Sequence, residues 1–368
     1  MQEINTSVTA NLGSITLNRP KALNALSLEM IQTLTEVLEN WRDDPEVQAV
    51  TIRGSDKSGP FGAFCGGGDI RFFHRASCAG DTALDDFFTA EYRLNYLIYS
   101  YPKPYIAFMD GIVMGGGMGL SQGASIRIVT ERTKMAMPET NIGLFPDVGA
   151  GFFLSRCPGF SGEYLALTGQ LLVAGDALAV GLADYCARSD ELNTHWHCLS
   201  DPSLGNMPQR LEHLKMRLAE TAPESSKPAW LQQPVNSIFA LDTVSAIFDR
   251  LRNIGSDWAA ETLNNLQKRS PLMLHVTLQQ IRRGRKLTLE DDLRMERDLV
   301  QHCFYTRHLA RSGITSETVE GIRALAIDKD HTPIWNPKNI AEVSDQMVAP
   351  FFDSPWSPTE HPLADLGK

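Results

Sequence analysis

Apolar and polar positions follow two different periods along this chain, and the change of period divides it. Residues 2–10 and 14–18 read as strands around an Asn11-Leu12-Gly13 turn. Pro20 and Asn24 interrupt the pattern. Ser27 then stands as N-cap to a helix whose apolar face is Leu28, Ile31, Leu34, Val37 or Leu38, and Trp41. The run VQAVTIRG fits a buried strand, and residues 54–68 form a loop with a triple glycine. A long helix over residues 83–100 leads to Pro102 and Pro104, followed by a strand at Tyr105–Met109 and a second triple glycine. Strand signals return at 125–129 and 133–137. Strand, glycine-rich turn and helix in succession predict α/β layering.

Beyond residue 205 the character changes. Pro202, Pro208, Pro223, Pro228 and Pro234 mark a loop-rich stretch, and the periodicity after it is helical, near 238–253, 256–269, 271–284, 288–307 and 316–325. Leu293, Val300 and Phe304 recur at helical spacing in one of these. The tail, with Pro333, Trp335, Pro337 and Pro350, is expected to wrap over the body. The expected division is therefore residues 1–204 as an α/β core and 205–368 as a helical region packed on it.

Charge narrows the partners. With 34 basic and 44 acidic side chains the net charge is −10, which argues against nucleic acid, although a local basic groove would still hold an anionic ligand. No apolar run approaches the roughly 18–20 residues that span a bilayer, so no membrane partner is expected. The start, MQEINTSVTANLG, lacks the pattern of a secretory signal or an Arg-rich presequence. The 6 cysteines show no paired spacing, as free thiols in a reducing compartment do. The expectation is cytoplasmic, or the mitochondrial matrix for a chain trimmed of a transit peptide.

Two glycine clusters stand out, Gly66-Gly67-Gly68-Asp69 and Gly115-Gly116-Gly117-Met118-Gly119. Neither continues as a dinucleotide fingerprint, since Arg71 and Leu120 stand where a final glycine is needed, and no P-loop pattern exists. The glycines either permit tight turns and close packing or offer backbone N–H groups that converge as an oxyanion hole. In MPETNIGLFPDVGAGFFLSR, Pro138, Gly143 and Pro146 forbid one continuous helix, so Glu139 and Asp147 sit in loops or strand ends. Across such turns the two acids can converge as an acid–base pair. On residues alone, a helix N-cap for Asp147 and an exposed loop acid for Glu139 remain open.

The order CGGGDI, DGIVMGGGMG, MPETNIGLFPDVGAG resembles the enoyl-CoA hydratase/isomerase (crotonase) superfamily, and within it the 3-hydroxyisobutyryl-CoA hydrolase branch. The resemblance begins at SITLNRPKALNALS and includes the tail stretch GIRALAIDKDHTPIWNP. It implies a spiral of ββα turns binding an acyl-CoA, with the thioester carbonyl against the N–H groups of Gly68 and Gly116. It implies Glu139 as first catalytic acid, acting as general base or as nucleophile, and Asp147 as second. Glu91 matches an acid lining the acyl pocket, within reach of a substrate hydroxyl. Lys21, Ala22 and Leu23 match a segment flanking CoA, where Lys21 would meet a phosphate. Asp69 is expected to cap the following helix.

Typical hydratases carry a second glutamate two residues after the triple glycine, and here that position is Gly119. The resemblance therefore favours hydrolysis of 3-hydroxyisobutyryl-CoA, or a similar short β-hydroxyacyl-CoA, as in valine breakdown. The alternatives are an enoyl-CoA hydratase or isomerase, and a non-catalytic acyl-CoA-binding protein. No cofactor beyond the CoA of the substrate and no metal are implied. Superfamily members are commonly homo-oligomers, a point periodicity does not decide. His195, His197 and Cys198 lack the further ligands of a zinc site, Cys65 reads as a packed thiol, and residues 282–286 read as a solvated helix end.

Overall fold

The computed structural model describes residues 2–57, 59–220 and 228–368; Pro223 of the loop-rich stretch lies outside the described residues. The chain is an α/β fold with a ββα-type core sheet and an extensive C-terminal helical region. It forms two compact units, whose bounds differ from the expected division at 204/205. The first comprises Met1–Gly68, Leu94–Ala136 and Leu171–Pro228, and the second Asp69–Arg93, Met137–Gln170 and Ala229–Lys368. The units interleave because each layer of the spiral adds helix and loop to the chain between successive strands.

The first unit holds the strands β1 (Ile4–Thr9), β2 (Leu12–Leu17), β3 (Ala49–Gly54), β4 (Tyr105–Met109), β5 (Ile112–Met114), β6 (Ile126–Thr130), β7 (Lys134–Ala136) and β8 (Tyr185–Ala187). β1 and β2 are an antiparallel hairpin, turned at Ala10 and Asn11 with φ of 49° and 64°. The remaining members are parallel, in the order β1-β2-β3-β4-β6-β8. β4 is buried along its whole length, as a central parallel strand covered on both faces must be, so it reads as an unbroken apolar run. β5 and β7 pair separately in a short parallel ladder, which makes each layer two strands and a helix. Leu12, Ile106, Phe108, Ile128, Trp196, Leu199 and Leu214 form the apolar cluster beneath the sheet. Ser27 caps the helix Leu28–Asp43 by accepting from Met30 N–H at 3.2 Å.

The loop-rich stretch contains a 14-residue helix, Met207–Glu220, which the proline count concealed. Pro208 stands in its first turn, where the missing N–H has no intrahelical partner to lose. In the second unit the expected helix 238–253 is two helices, Val235–Phe239 and Val244–Ile254. The break falls at Thr243, whose extended backbone and hydroxyl, accepting from Ala246 N–H at 3.1 Å, start the second helix anew. The tail is fixed within this unit: Trp335 Nε1 donates to the Lys268 carbonyl at 3.0 Å, and Arg93 pairs with Asp365 at 2.7 Å.

Residues 282–286 depart from the solvated helix end expected of them. Arg282 donates to the carbonyls of Leu241 and Asp242, and the Arg283 guanidinium lies 3.8 Å from the centre of the Phe352 ring. Arg285 forks onto Glu163, which is 0% exposed, with Nη2 at 2.8 and 2.7 Å from the two carboxylate oxygens. A charge run looks solvated in sequence because the partner lies 122 residues away. Removing one member of a buried pair strands the other charge in a low dielectric. Arg285→Ala is expected to lower unfolding free energy by about 3–5 kcal/mol, measured by urea denaturation. A loss below about 1 kcal/mol would instead fit an ordinary surface pair.

Candidate functional site

In the first unit the two glycine clusters lie side by side. Cys65 N–H donates to the Ile112 carbonyl at 3.0 Å, and Met114 N–H to the Cys65 carbonyl at 3.0 Å, which lays the loop before Gly68 along β5. The approach is close: a Cβ on Gly117 would lie 2.5 Å from the Cys65 carbonyl oxygen. Gly67, at φ 97°, is the position where backbone conformation itself demands glycine. No backbone acceptor is found among the described residues for the N–H of Gly68 or Gly116. Gly116 opens the helix Gly116–Gln122, where first-turn N–H groups have no intrahelical partner.

Lys21, Ala22 and Leu23 join this surface. Pro20–Ala22 is one helical turn, and the Leu23 carbonyl accepts from Gly66 N–H at 2.8 Å. The turn is pinned by Asn24, wholly buried, whose amide donates to the carbonyls of Ser55 and Ala63 at 3.0 and 2.7 Å. Lys21 and Leu23 are left exposed.

The second unit brings together Glu91, Glu139 and Asp147, and adds Tyr92. Glu91 and Tyr92 lie on the helix Ala83–Tyr99, and both are buried. Glu139 begins the short turn Glu139–Ile142, which Pro138 starts and Gly143, at φ 64°, ends. Its own backbone is tied by Leu144 N–H donating to the Glu139 carbonyl at 3.1 Å. Asp147 follows Pro146 and is buried, and its Oδ2 accepts from Tyr92 Oη at 2.8 Å. Asp147 is therefore not the N-cap of the helix Ala150–Ser155; Gly149 is. Nor is Glu139 an exposed loop acid, since it is 7% exposed.

Burial sets the charge states. It raises all three carboxyls above the usual range, because taking the ionised form out of water costs more than taking the neutral one. Asp147 is pushed up to about 6, with the Tyr92 hydroxyl limiting the rise by donating to the ionised form. Glu139 and Glu91 rise well above their ordinary values, by burial first and then by the charge on Asp147. The Tyr92 donor helps Asp147 ionise, and the charge that Asp147 then carries raises the two glutamates further. Glu91 Oε1 and Glu139 Oε2 have no hydrogen-bond partner among the described residues. Such atoms suit a ligand that brings a hydroxyl or a water.

The other sequence candidates have structural places. Asp69 caps the helix Ile70–Ala79, accepting from Phe72 N–H at 3.2 Å. Cys65 is buried with its thiol 3.9 Å from the Gly67 carbonyl oxygen. His195 and Cys198 are buried on the helix Leu192–Ser200. Among the described residues no three His, Cys, Asp or Glu side chains are grouped to hold a metal ion, and no helix is long and apolar enough to cross a membrane. Sequence reading missed Tyr92, and also Gln280, Asp292 and Glu296, which hold the backbone on either side of Asp147. Tyr92 was signalled only by adjacency to Glu91; the others read as ordinary helix polarity.

The first unit thus carries two glycine turns side by side on a ββα-layered sheet, and the second unit a buried trio of acids. Residues 12–352 match the enoyl-CoA hydratase/isomerase family, and the chain belongs to that family, within the crotonase superfamily that acts on acyl-CoA thioesters. It is 42% identical over 342 residues to the mitochondrial 3-hydroxyisobutyryl-CoA hydrolase of Gallus gallus, covering 91% of this chain and 85% of that one. The crystal structure of a carnitinyl-CoA dehydratase from Mycobacterium thermoresistibile superposes with a TM-score of 0.85 at 35% identity, covering 97% of this chain and 98% of that one. That of an enoyl-CoA hydratase from Rhodobacter sphaeroides gives 0.82 at 34% identity, covering 96% and 98%.

The raised Asp147 pKa has a consequence for stability. In the folded chain the group binds its proton up to about pH 6, whereas unfolded it releases it near 4. The folded state is thus penalised above pH 6, and the penalty fades as pH falls toward 4. Asp147→Asn, which still accepts from Tyr92, is expected to raise unfolding free energy at pH 8 by on the order of 1–3 kcal/mol. At pH 4 the gain should largely vanish. Chemical denaturation at the two pH values checks this, and an equal gain at both contradicts it.

Proposed function

We propose that this enzyme hydrolyses the thioester of a short β-hydroxyacyl-CoA, 3-hydroxyisobutyryl-CoA foremost, to the free acid and CoA, as in valine breakdown. The observation that carries the reading is the buried Glu139–Asp147 pair with its Tyr92 donor, in a chain whose hydratase-type second glutamate is replaced by Gly119. The similarity to the Gallus gallus hydrolase over 91% of this chain supports it.

The roles divide by chemistry. The N–H groups of Gly68 and Gly116 are assigned to the thioester oxygen, where a preorganised donor is worth about 3–4 kcal/mol as negative charge develops. Lys21, Ala22 and Leu23 are assigned to CoA, Lys21 to a phosphate. Glu91, with an unpartnered buried oxygen, is assigned to the substrate hydroxyl. Hydrolysis adds one water across the acyl C–S bond: the water oxygen bonds the carbonyl carbon, and the thiolate leaves. One carboxylate takes the proton of the attacking water, and one carboxylic acid protonates the departing sulfur.

Resting electrostatics favour Asp147 as the base, since its charge is held by Tyr92, and Glu139 as the acid. This inverts the assignment that the family resemblance gives Glu139, which as a base or nucleophile would first have to lose its proton. After turnover the proton taken by Asp147 returns to Glu139, and the pair is restored.

Three outcomes are expected. Glu139→Gln lowers CoA thiol release by about 100- to 10,000-fold while the folded far-UV spectrum is kept; near-normal release removes Glu139 from the chemistry. In wild type, kcat/KM rises as pH passes about 6 and Asp147 ionises, then falls once Glu139, itself raised by burial and by the Asp147 charge, loses its proton. A rate with no rise near pH 6 would take the working charge off Asp147. Tyr92→Phe moves the acid limb upward, because the ionised Asp147 loses a donor. Thiol release from 3-hydroxyisobutyryl-CoA is run beside loss of enoyl absorbance from crotonyl-CoA. Enoyl loss without thiol release would favour the hydration chemistry for which the carnitinyl-CoA dehydratase and enoyl-CoA hydratase are named.

A further inference from the structure

Residues 146–152 carry Asp147 on a backbone with few bonds of its own: Ala150 N–H donates to the Asp147 carbonyl and Phe152 N–H to the Gly149 carbonyl, each at 3.0 Å. Val148 and Gly149 both lie at positive φ, 57° and 88°. The helix they lead into, Ala150–Ser155, has 6 residues, too few to persist unaided. Its N-cap is a glycine with no side chain to satisfy the first-turn N–H groups.

Further acceptors come from the helix Leu289–Phe304, well over 100 residues further along the chain. Gly149 N–H donates to Glu296 Oε2 at 2.7 Å, and Gly151 N–H to Glu296 Oε1 at 3.0 Å. Phe152 N–H donates to Asp292 Oδ2 at 2.8 Å. From the helix Pro271–Gly284, the Gln280 amide donates to the Pro146 carbonyl at 2.6 Å and to Glu296 Oε1 at 3.0 Å. Gln280, Asp292 and Glu296 are each 0% exposed. The fit leaves no slack: a Cβ on Gly151 would meet Asp292 Oδ1 at 2.2 Å, and one on Gly284 would meet the Gly151 carbonyl oxygen at 2.1 Å.

We propose that Glu296 is a positioning residue, which with Gln280 and Asp292 clamps residues 146–152 so that the Asp147 carboxylate is held in its working orientation. The inference rests on the role given to Asp147 above. Apolar side chains would join these helices more cheaply than two buried carboxyls do, so cohesion alone does not account for them. What a carboxylate adds is direction. Its two oxygens fix the Val148–Gly149 and Ala150–Gly151 peptide planes, while Gln280 fixes the carbonyl just before Asp147. Tyr92 restrains the same aspartate from its side chain, so Asp147 is held at both ends. Asp292 and Glu296 are one helical turn apart; burial raises both, Asp292 to about 7, and while the charge on Asp292 raises Glu296 further, the Glu296 carboxyl hydrogen-bonds to Asp292 and limits its rise.

A double-mutant cycle separates positioning from general support. Glu296→Gln keeps the size of the side chain but turns one acceptor into a donor facing an N–H. With the acyl-CoA that the wild-type enzyme turns over, kcat is expected to fall about 10- to 100-fold, the scale of a small misplacement, with KM within about threefold. In an Asp147→Asn background the same substitution should change kcat by less than about threefold, since the group it serves is already gone. Equal losses in both backgrounds overturn the proposal, because the clamp then acts on something other than Asp147. Near-normal kcat for Glu296→Gln, with Asp147→Asn impaired, overturns it too and leaves the Asp147 reading standing. Wild-type kcat for Asp147→Asn removes that reading and this inference with it. Gln280→Met is the second variant should Glu296→Gln fail to fold. It removes both amide bonds at similar volume and is expected to lose kcat about 5- to 20-fold, again only while Asp147 is present.

Discussion

Carboxyl groups out of water are the constraint around which the second unit is built. Glu91, Glu139, Asp147, Asp292 and Glu296 are all buried there, and each ionised group removed from solvent must be compensated or must keep its proton. The compensation is made of oriented dipoles. Asp147 receives a phenol hydroxyl and Glu296 two peptide N–H groups and an amide, while Asp292 has a peptide N–H and the nearby charge of Arg156. At Asp147 and Glu296 the dipoles stabilise negative charge without adding a full positive one, so the carboxyls nearby are still raised by burial and by one another's charge. A guanidinium at the same place would have pulled every acid toward ionisation and erased the difference between donor and acceptor. Elsewhere in the unit a guanidinium does meet a buried carboxylate, where Arg285 forks onto Glu163.

The first unit solves a complementary problem with backbone alone. Its candidate anion donors are peptide N–H groups, which carry no titration and need no counter-ion, but they demand that two chain segments pass closer than a side chain allows. The 2.5 Å that a Cβ on Gly117 would leave to the Cys65 carbonyl oxygen is the measure of that demand. The Lys21–Leu23 turn is held against the same loop by Asn24, a buried amide whose bonds span 31 and 39 residues. Both units thus hold their exposed or reactive groups through polar side chains contributed from far along the sequence.

Much of this was legible in the residues. Ser27 and Asp69 announced their helices because capping is a local contact between a side chain and an N–H three residues on. The strand at Tyr105–Met109 was legible because a fully buried parallel strand must be apolar throughout. The convergence of Glu139 and Asp147 was suggested by Pro138, Gly143 and Pro146, which force turns between them. Other elements were hidden by the same locality. Pro208 masked the helix Met207–Glu220 because proline in a first turn looks like proline in a loop. Residues 238–253 looked like one helix because the apolar period runs on through Thr243, whose cap breaks it.

The chain's own residues determined its family, the positions of the glycine turns, and which acids are available, since these follow from short-range sterics and from motifs carried intact in one stretch. Tertiary structure decided which acid holds the charge and what holds that acid still. Tyr92 and Asp147 are 55 residues apart, and Glu296 lies 147 residues from Gly149. On the helix Leu289–Phe304, Asp292 and Glu296 look like a solvated acidic face until the fold removes their water. Burial and partners at that range are properties of the packed chain, because a dielectric environment belongs to a place in the fold and not to a position in the sequence.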